Sequence, residues 1–237
     1  MSQHPDAATA VGEVVGQVLE ALGDTGQPPD LALLFVTAPH VAAMADVAAA
    51  VTATLAPVTL LGATAVSVVG GPHEVERGPA VSLWAGYTGA VTPFHLSVVS
   101  TPDGPTFTGW PDLIPDDSPA LLLLTDPFSF AVDALLDRLG EDRPGLAVVG
   151  GMASAARGPG GNRLVVDAQV VTEGAVGAFL GPATSRSPPS SPRGVGRLAP
   201  RSSSPGPRGT WCTSWPGGPP WIASKRWRPR FPTMTAG

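Results

Sequence analysis

Residues Val149–Val165 read VGGMASAARGPGGNRLV, and the fold follows from how this stretch is parsed. The apolar run Leu146–Val149 ahead of it is too short for a helix, and Arg163–Val166 is apolar again after the glycines, so both flanks read as strands. Between them lies a polar, glycine-rich loop carrying Ser154, Arg157, Asn162 and Arg163. A phosphate-binding loop would lead into a helix and carry a Walker lysine, and this loop does neither.

Outward from this stretch the same grammar occurs twice. Leu31–Val36 is an unbroken apolar run expected to be buried on both faces. Pro39 then opens a helix to Leu55, with Val41, Met44, Val47, Val51 and Leu55 on one side, and Val58–Leu61 is a second strand. Such a β-α-β unit favours a parallel pair. In the second copy, Ala120–Leu124 is the strand, Pro127 opens a helix with Leu135, Leu136 and Leu139 inward, and Leu146–Val149 follows. Pro39 and Pro127, like Gly62 and Gly150, stand 88 positions apart, the mark of an internal repeat. The loops Ala63–Arg77 and Gly151–Arg163 become equivalents, expected to face one another across the joint.

The remaining segments complete two similar halves. Residues 7–22 form an amphipathic helix stopped at Gly23. Ala80–Tyr87 and Thr92–Val99 read as strands about a glycine-bearing turn, the second with alternating Phe94, Leu96 and Val98 that leaves one face solvated. Thr101–Ser118 reads as a loop, and Leu164–Asp167, Gln169–Thr172 and Ala175–Leu180 as closing strands. The expected fold class is α/β: a mixed sheet built from two β-α-β plus hairpin halves, helices packed on it, and a disordered basic tail. The divisions are an N-terminal helix region (1–28), a domain (29–181) and a Pro/Arg/Ser/Trp-rich tail (182–237).

Charge divides the chain in the same place. All nineteen acidic residues lie at or before Glu173, whereas nine of the fourteen basic residues lie beyond Ala183. The one cysteine, Cys212, excludes an intramolecular disulfide framework. The polar, acidic N-terminus does not read as a signal peptide, and no run resembles a membrane-spanning segment. A cytoplasmic protein without membrane contact is expected.

Four of the six tryptophans lie beyond Thr210 in the acid-free tail. Basic residues interleaved with aromatics suit a binder of single-stranded nucleic acid. The preferred reading is a frameshift: with suitable codons, the frame beginning one nucleotide earlier converts PPWIASKRWRPRFPTMTA into PALDRLEAVAAALPDDDR, an amphipathic acidic helix like the body's chemistry.

PDLALLFV, LLGATAVSVVGG, EVERGPAVSLWA, VTPFHL, ALLLLTDPFSF, VVGGMAS and RGPGGNRL, within Pro29–Gly181, resemble the amino-terminal domain of the FIST family. The resemblance implies an intracellular sensory domain that binds small ligands such as amino acids, and the rescued-frame strings resemble the entry to the family's carboxy-terminal half. Ala63 and Val66-Ser67 depart from the family's first glycine turn, where Cys and a Glu-Gly or Gly-Gly step are common.

Three of the five basic residues of the body, Arg77, Arg157 and Arg163, fall in the two equivalent loops. They could offer a local positive site for a carboxylate, assisted by loop N–H groups and Asn162. The alternative is surface pairing with Glu74, Glu76 or Asp167. The expected ligand-binding set is Thr64, Ser129, Ser154, Arg157, Gly160, Gly161, Asn162 and Arg163, with no catalytic residue, metal or cofactor. A hydrolase using Ser154 is the competing class, but GGMAS is not the G-x-S-x-G elbow. The four histidines show no ligand spacing. Asp126 suits a helix cap better than an acid catalyst. The partners expected are a small molecule and an unidentified signalling protein, not nucleic acid.

Overall fold

The computed structural model describes residues 1–102, 104–112 and 120–181; the disorder and frameshift expected of residues 182–237 lie outside them. The elements are α1 (Ala7–Leu22), β1 (Leu31–Thr37), a 3-10 helix (Ala38–Ala43), α2 (Met44–Leu55), β2 (Thr59–Ala65), β3 (Val68–Gly70), β4 (His73–Val75) and β5 (Val81–Gly86). They continue with β6 (Val91–Thr101), β7 (Gly104–Thr108), β8 (Ala120–Thr125), α3 (Val132–Asp142), β9 (Ala147–Met152), β10 (Leu164–Val166), β11 (Gln169–Val171) and β12 (Ala175–Leu180).

Both β-α-β units form as expected: β1 pairs with β2, and β8 with β9, in parallel. The strands divide between two five-stranded mixed sheets, in the orders β11-β10-β2-β1-β5 and β7-β6-β12-β8-β9, with β3-β4 a separate ribbon. Each sheet borrows from the other half of the chain. β10 joins the outer edge of β2 antiparallel, and β6 joins β12 antiparallel. β5 and β6 therefore do not pair as a hairpin; the turn between them crosses from one sheet to the other, with the Gly89 N–H donating to Asp30 Oδ2 at 2.9 Å.

Four layers result. The α1 residues Ala10, Val11, Val14 and Val15 join Met44, Val47, Val51 and Leu55 of α2 on one face of the first sheet, against Ala32, Leu34, Val36, Leu60 and Val165. The opposite faces of the two sheets meet through Leu31, Leu61, Leu124, Leu164, Val166, Val176 and Ala178. Beyond the second sheet, Leu135 and Leu139 of α3 pack with Leu96, Leu121, Leu123 and Phe179. β1 thus alternates between helices and sheet with both sides buried, which is why its sequence lacks a polar phase. By composition the helical stretch Ala38–Leu55 is long and apolar enough to cross a membrane; here Met44, Val47, Val51 and Leu55 form a core.

Local chemistry accounts for several departures from the expected elements. The helix after Pro127 begins only at Val132, because residues 126–130 close into a turn: Asp126 Oδ2 accepts from Phe128 N–H and Ser129 Oγ, and Phe130 N–H reaches the Asp126 carbonyl. Asp126 caps this turn rather than α3. Leu136 is 41% exposed instead of inward. Pro39 opens a 3-10 turn before α2. The segment Ala63–Arg77 holds the end of β2 and the β3-β4 ribbon, and Thr101–Ser118 holds β7. Alternation in β6 is as expected, with Phe94 and Leu96 buried and Ser97 exposed.

Candidate functional site: the buried joint and its loop

The two loops made equivalent by the repeat meet, as expected, where β2 ends beside the segment 153–163. Thr64 N–H donates to the Arg163 carbonyl at 3.0 Å, and its carbonyl accepts from Ser154 N–H at 2.9 Å. Thr64 Oγ1 accepts from Arg163 N–H at 3.0 Å, and Ser154 Oγ accepts from Val66 N–H at 3.1 Å. Every polar atom of the Thr64 unit is thereby committed to the loop opposite.

Asn162 is the centre of the joint. Its Nδ2 donates to Asp126 Oδ1 at 2.9 Å and more weakly to the Ala153 carbonyl at 3.4 Å. Its Oδ1 accepts from Ala156 N–H at 2.9 Å and from Thr64 Oγ1 at 3.5 Å. Asn162, Thr64 and Asp126 are all fully buried. An amide offers two donors and two acceptor lone pairs, so this side chain is saturated from within. The joint pins the loop to the end of β2 and to the turn at Asp126. Asp126 is the residue of this network missing from the expected binding set, although the sequence motif TDPFSF had already singled it out.

The predicted site residues separate into an inner and an outer group. Thr64 and Asn162 are inside, and Ser129 is half-buried, its hydroxyl donating to Asp126 and accepting from Gly174 N–H at 2.9 Å. Ser154, Arg157 and Gly160 are exposed, and Gly161 and Arg163 are half-buried. Arg163 does not pair with Asp167: its Nη1 donates to the Gly160 and Asn162 carbonyls at 2.8 and 2.7 Å, folding the loop upon itself. Gly160 has φ 71°, a conformation natural to glycine. The Gly161 position is tight, since a Cβ there would stand 2.6 Å from that of Ala156. Cavities of about 340, 300 and 290 Å³ lie elsewhere, lined by none of the eight residues.

On the far side of β2, Asp167 turns the β10-β11 hairpin with φ 52°. Its N–H donates to the Leu60 carbonyl at 2.7 Å, and its Oδ1 accepts from Leu60 N–H at 3.1 Å. Burial raises its carboxyl above the usual aspartate range, and the Leu60 bond opposes that shift without cancelling it.

With the joint and its loop in place, comparison with known proteins identifies the lineage. Residues 30–188 match the FIST N domain. This chain belongs to the FIST family. FIST domains are in general sensory domains of signal transduction. The chain is 38% identical over 181 residues to an uncharacterized protein of Mycobacterium tuberculosis H37Rv, Rv0628c, covering 76% of this chain and 46% of the relative. It is 39% identical over 177 residues to an uncharacterized protein of Mycobacterium bovis, Mb0898c, covering 74% and 45%. The chain thus spans about half the length of the curated relatives it matches. No solved structure matches it.

Proposed function

We propose that this FIST domain is the small-ligand sensor of a cytoplasmic signalling protein, and that it is a binding module and not an enzyme. The ligand is a small carboxylate such as an amino acid, taken at the exposed rim of the loop by Arg157 and Ser154 with the N–H groups around Gly160 and Gly161. Thr64, Asn162 and Ser129 hold that rim in place without touching the ligand. Carrying this reading is the placement of Arg157: an exposed cation in an acidic body, immediately after Ala156, whose N–H is clamped by the buried Asn162. Anchoring the preceding peptide limits the orientations the guanidinium must give up on binding.

The binding reading is favoured over hydrolysis by the surroundings of Ser154. Its hydroxyl is engaged by Val66 N–H, whereas an activated serine is engaged by a base. His4, His40 and His95 are hydrogen-bonded to backbone groups elsewhere.

Thermal denaturation against a panel of L-amino acids and small carboxylates tests the proposal. A ligand at a hundred times its Kd adds about 2.7 kcal/mol, or about 5–10 °C for a domain of this size. The shift should vanish in Arg157→Ala while the unliganded Tm stays put. A shift that survives Arg157→Ala refutes the site, and turnover of a simple ester lost in Ser154→Ala would establish the enzyme instead.

A further inference from the structure

The two β-α-β units are built alike but finished differently. In the first, the outer edge of β2 is covered by the β10-β11 hairpin, with Leu164, Val165 and Val166 opposite Ala63, Gly62 and Leu61. The hairpin comes from the following unit. Val165 joins the core of the first sheet and Val170 packs against it, beside α2. Every residue of β2 from Thr59 to Thr64 is buried as a result.

In the second unit, β9 is the last strand of its sheet, and no other strand among the described residues pairs with its outer edge. Gly150 stands opposite Leu123 as Gly62 stands opposite Leu34, and at both glycines a Cβ would collide with the partner's carbonyl oxygen. The local geometry is therefore shared, yet the exposure is not. Val149 is 62% exposed where Leu61 is fully buried. Leu136, at the α3 position corresponding to the buried Ala48 of α2, lies open, and so does Met152. Between β9 and α3 runs a groove of about 300 Å³, lined by Val132, Leu136, Val148, Gly150 and Met152. Thr125 also lines it, and its buried hydroxyl has no hydrogen-bond partner among the described residues. An apolar strand edge of this kind is a template for another strand.

We propose that the edge of β9 and this groove seat a β-hairpin supplied by a following repeat of the same β-α-β type. That repeat would belong to the polypeptide that the longer relatives carry outside their matched segment. The incoming strand runs antiparallel to β9 opposite Val149, Gly150 and Gly151. Its middle residue enters the groove as Val165 enters the first core, and its second strand covers Leu136 and Val132 as β11 lies over α2. Two observations support this occupant: among the described residues the equivalent edge of β2 is covered by the next unit's hairpin, and the relatives are about twice as long as their match to this chain. The ligand site of the preceding subsection plays no part in the argument.

Hydrogen exchange on this full chain and on full-length Rv0628c tests it. The outward amides of residues 147–152 should exchange quickly here, and at least 100-fold more slowly at the aligned strand of the relative. Val149→Lys should leave the Tm of this chain unchanged, while lysine at the aligned position of the relative should restore fast exchange at that strand. Equal, fast exchange in both proteins overturns the proposal. So does protection in this chain that disappears on dilution, which would show β9 pairing with a second copy instead.

Discussion

Asn162→Ala isolates the joint that holds the two halves together. The substitution removes the 2.9 Å bond to Asp126 Oδ1 and the 2.9 Å bond from Ala156 N–H, together with the two longer contacts. Each good hydrogen bond contributes about 1 kcal/mol net, and a buried group left unsatisfied costs about 1–3 kcal/mol. Asp126 keeps Ser129 Oγ at 2.7 Å and Phe128 N–H at 3.2 Å, so its loss is partial; Ala156 N–H loses the partner described for it. The expected cost is therefore about 3 kcal/mol, a large share of the stability of an ordinary domain. Asn162→Asp should cost more, because it sets two buried carboxyl groups against each other. Urea denaturation followed by far-UV circular dichroism measures both, with an unchanged m-value showing that the same surface is exposed. A loss below about 1 kcal/mol for Asn162→Ala, or an Asn162→Asp variant as stable as the parent, would refute the view of this network as the pin of the joint.

Other outcomes follow from single features. Asp167 has a raised carboxyl pKa, so its folded form holds the proton more tightly than its unfolded form, and its contribution is fully present below about pH 4 and fades as pH rises through the folded value. Asp167→Asn keeps the bond from Leu60 N–H and tolerates positive φ, so it should raise the Tm at pH 7 and lose that advantage in acid; a difference independent of pH refutes the assignment. Gly62→Ala would put a Cβ 2.6 Å from the Leu34 carbonyl oxygen and should cost about 1–3 kcal/mol by overpacking, read as a drop in urea midpoint. Leu139→Ala should cost about 2–5 kcal/mol in the core beneath α3, whereas Leu136→Lys on the same helix should shift stability by no more than about 0.5 kcal/mol; equal losses would mean that the face of α3 has been misread.

Much of the architecture was legible because it is local. The helix over 7–22, the apolar strands of both β-α-β units and the alternation of Phe94 and Leu96 follow from hydrophobic period, and the 88-residue spacing announced the repeat. The site was legible in part. The loops 63–77 and 151–163 do meet, and Asn162, one of the expected ligand contacts, bonds both Thr64 and Asp126, while Arg163 Nη1 donates to carbonyls of its own loop. A list of polar residues in a loop does not say which of them face each other, since that depends on how the strands carrying the loop pair.

The sequence alone determined the elements, because periodicity and turn residues act over a few positions, and the family, because its motifs are contiguous. The tertiary structure decided the neighbours. β5 and β6 are adjacent in the chain and lie in different sheets, and β10 reaches back about a hundred residues to cover β2. Val149 and Leu61 occupy equivalent places in two similar units, yet one is exposed and the other buried, because burial depends on whether another segment arrives at the strand edge and not on the residue itself.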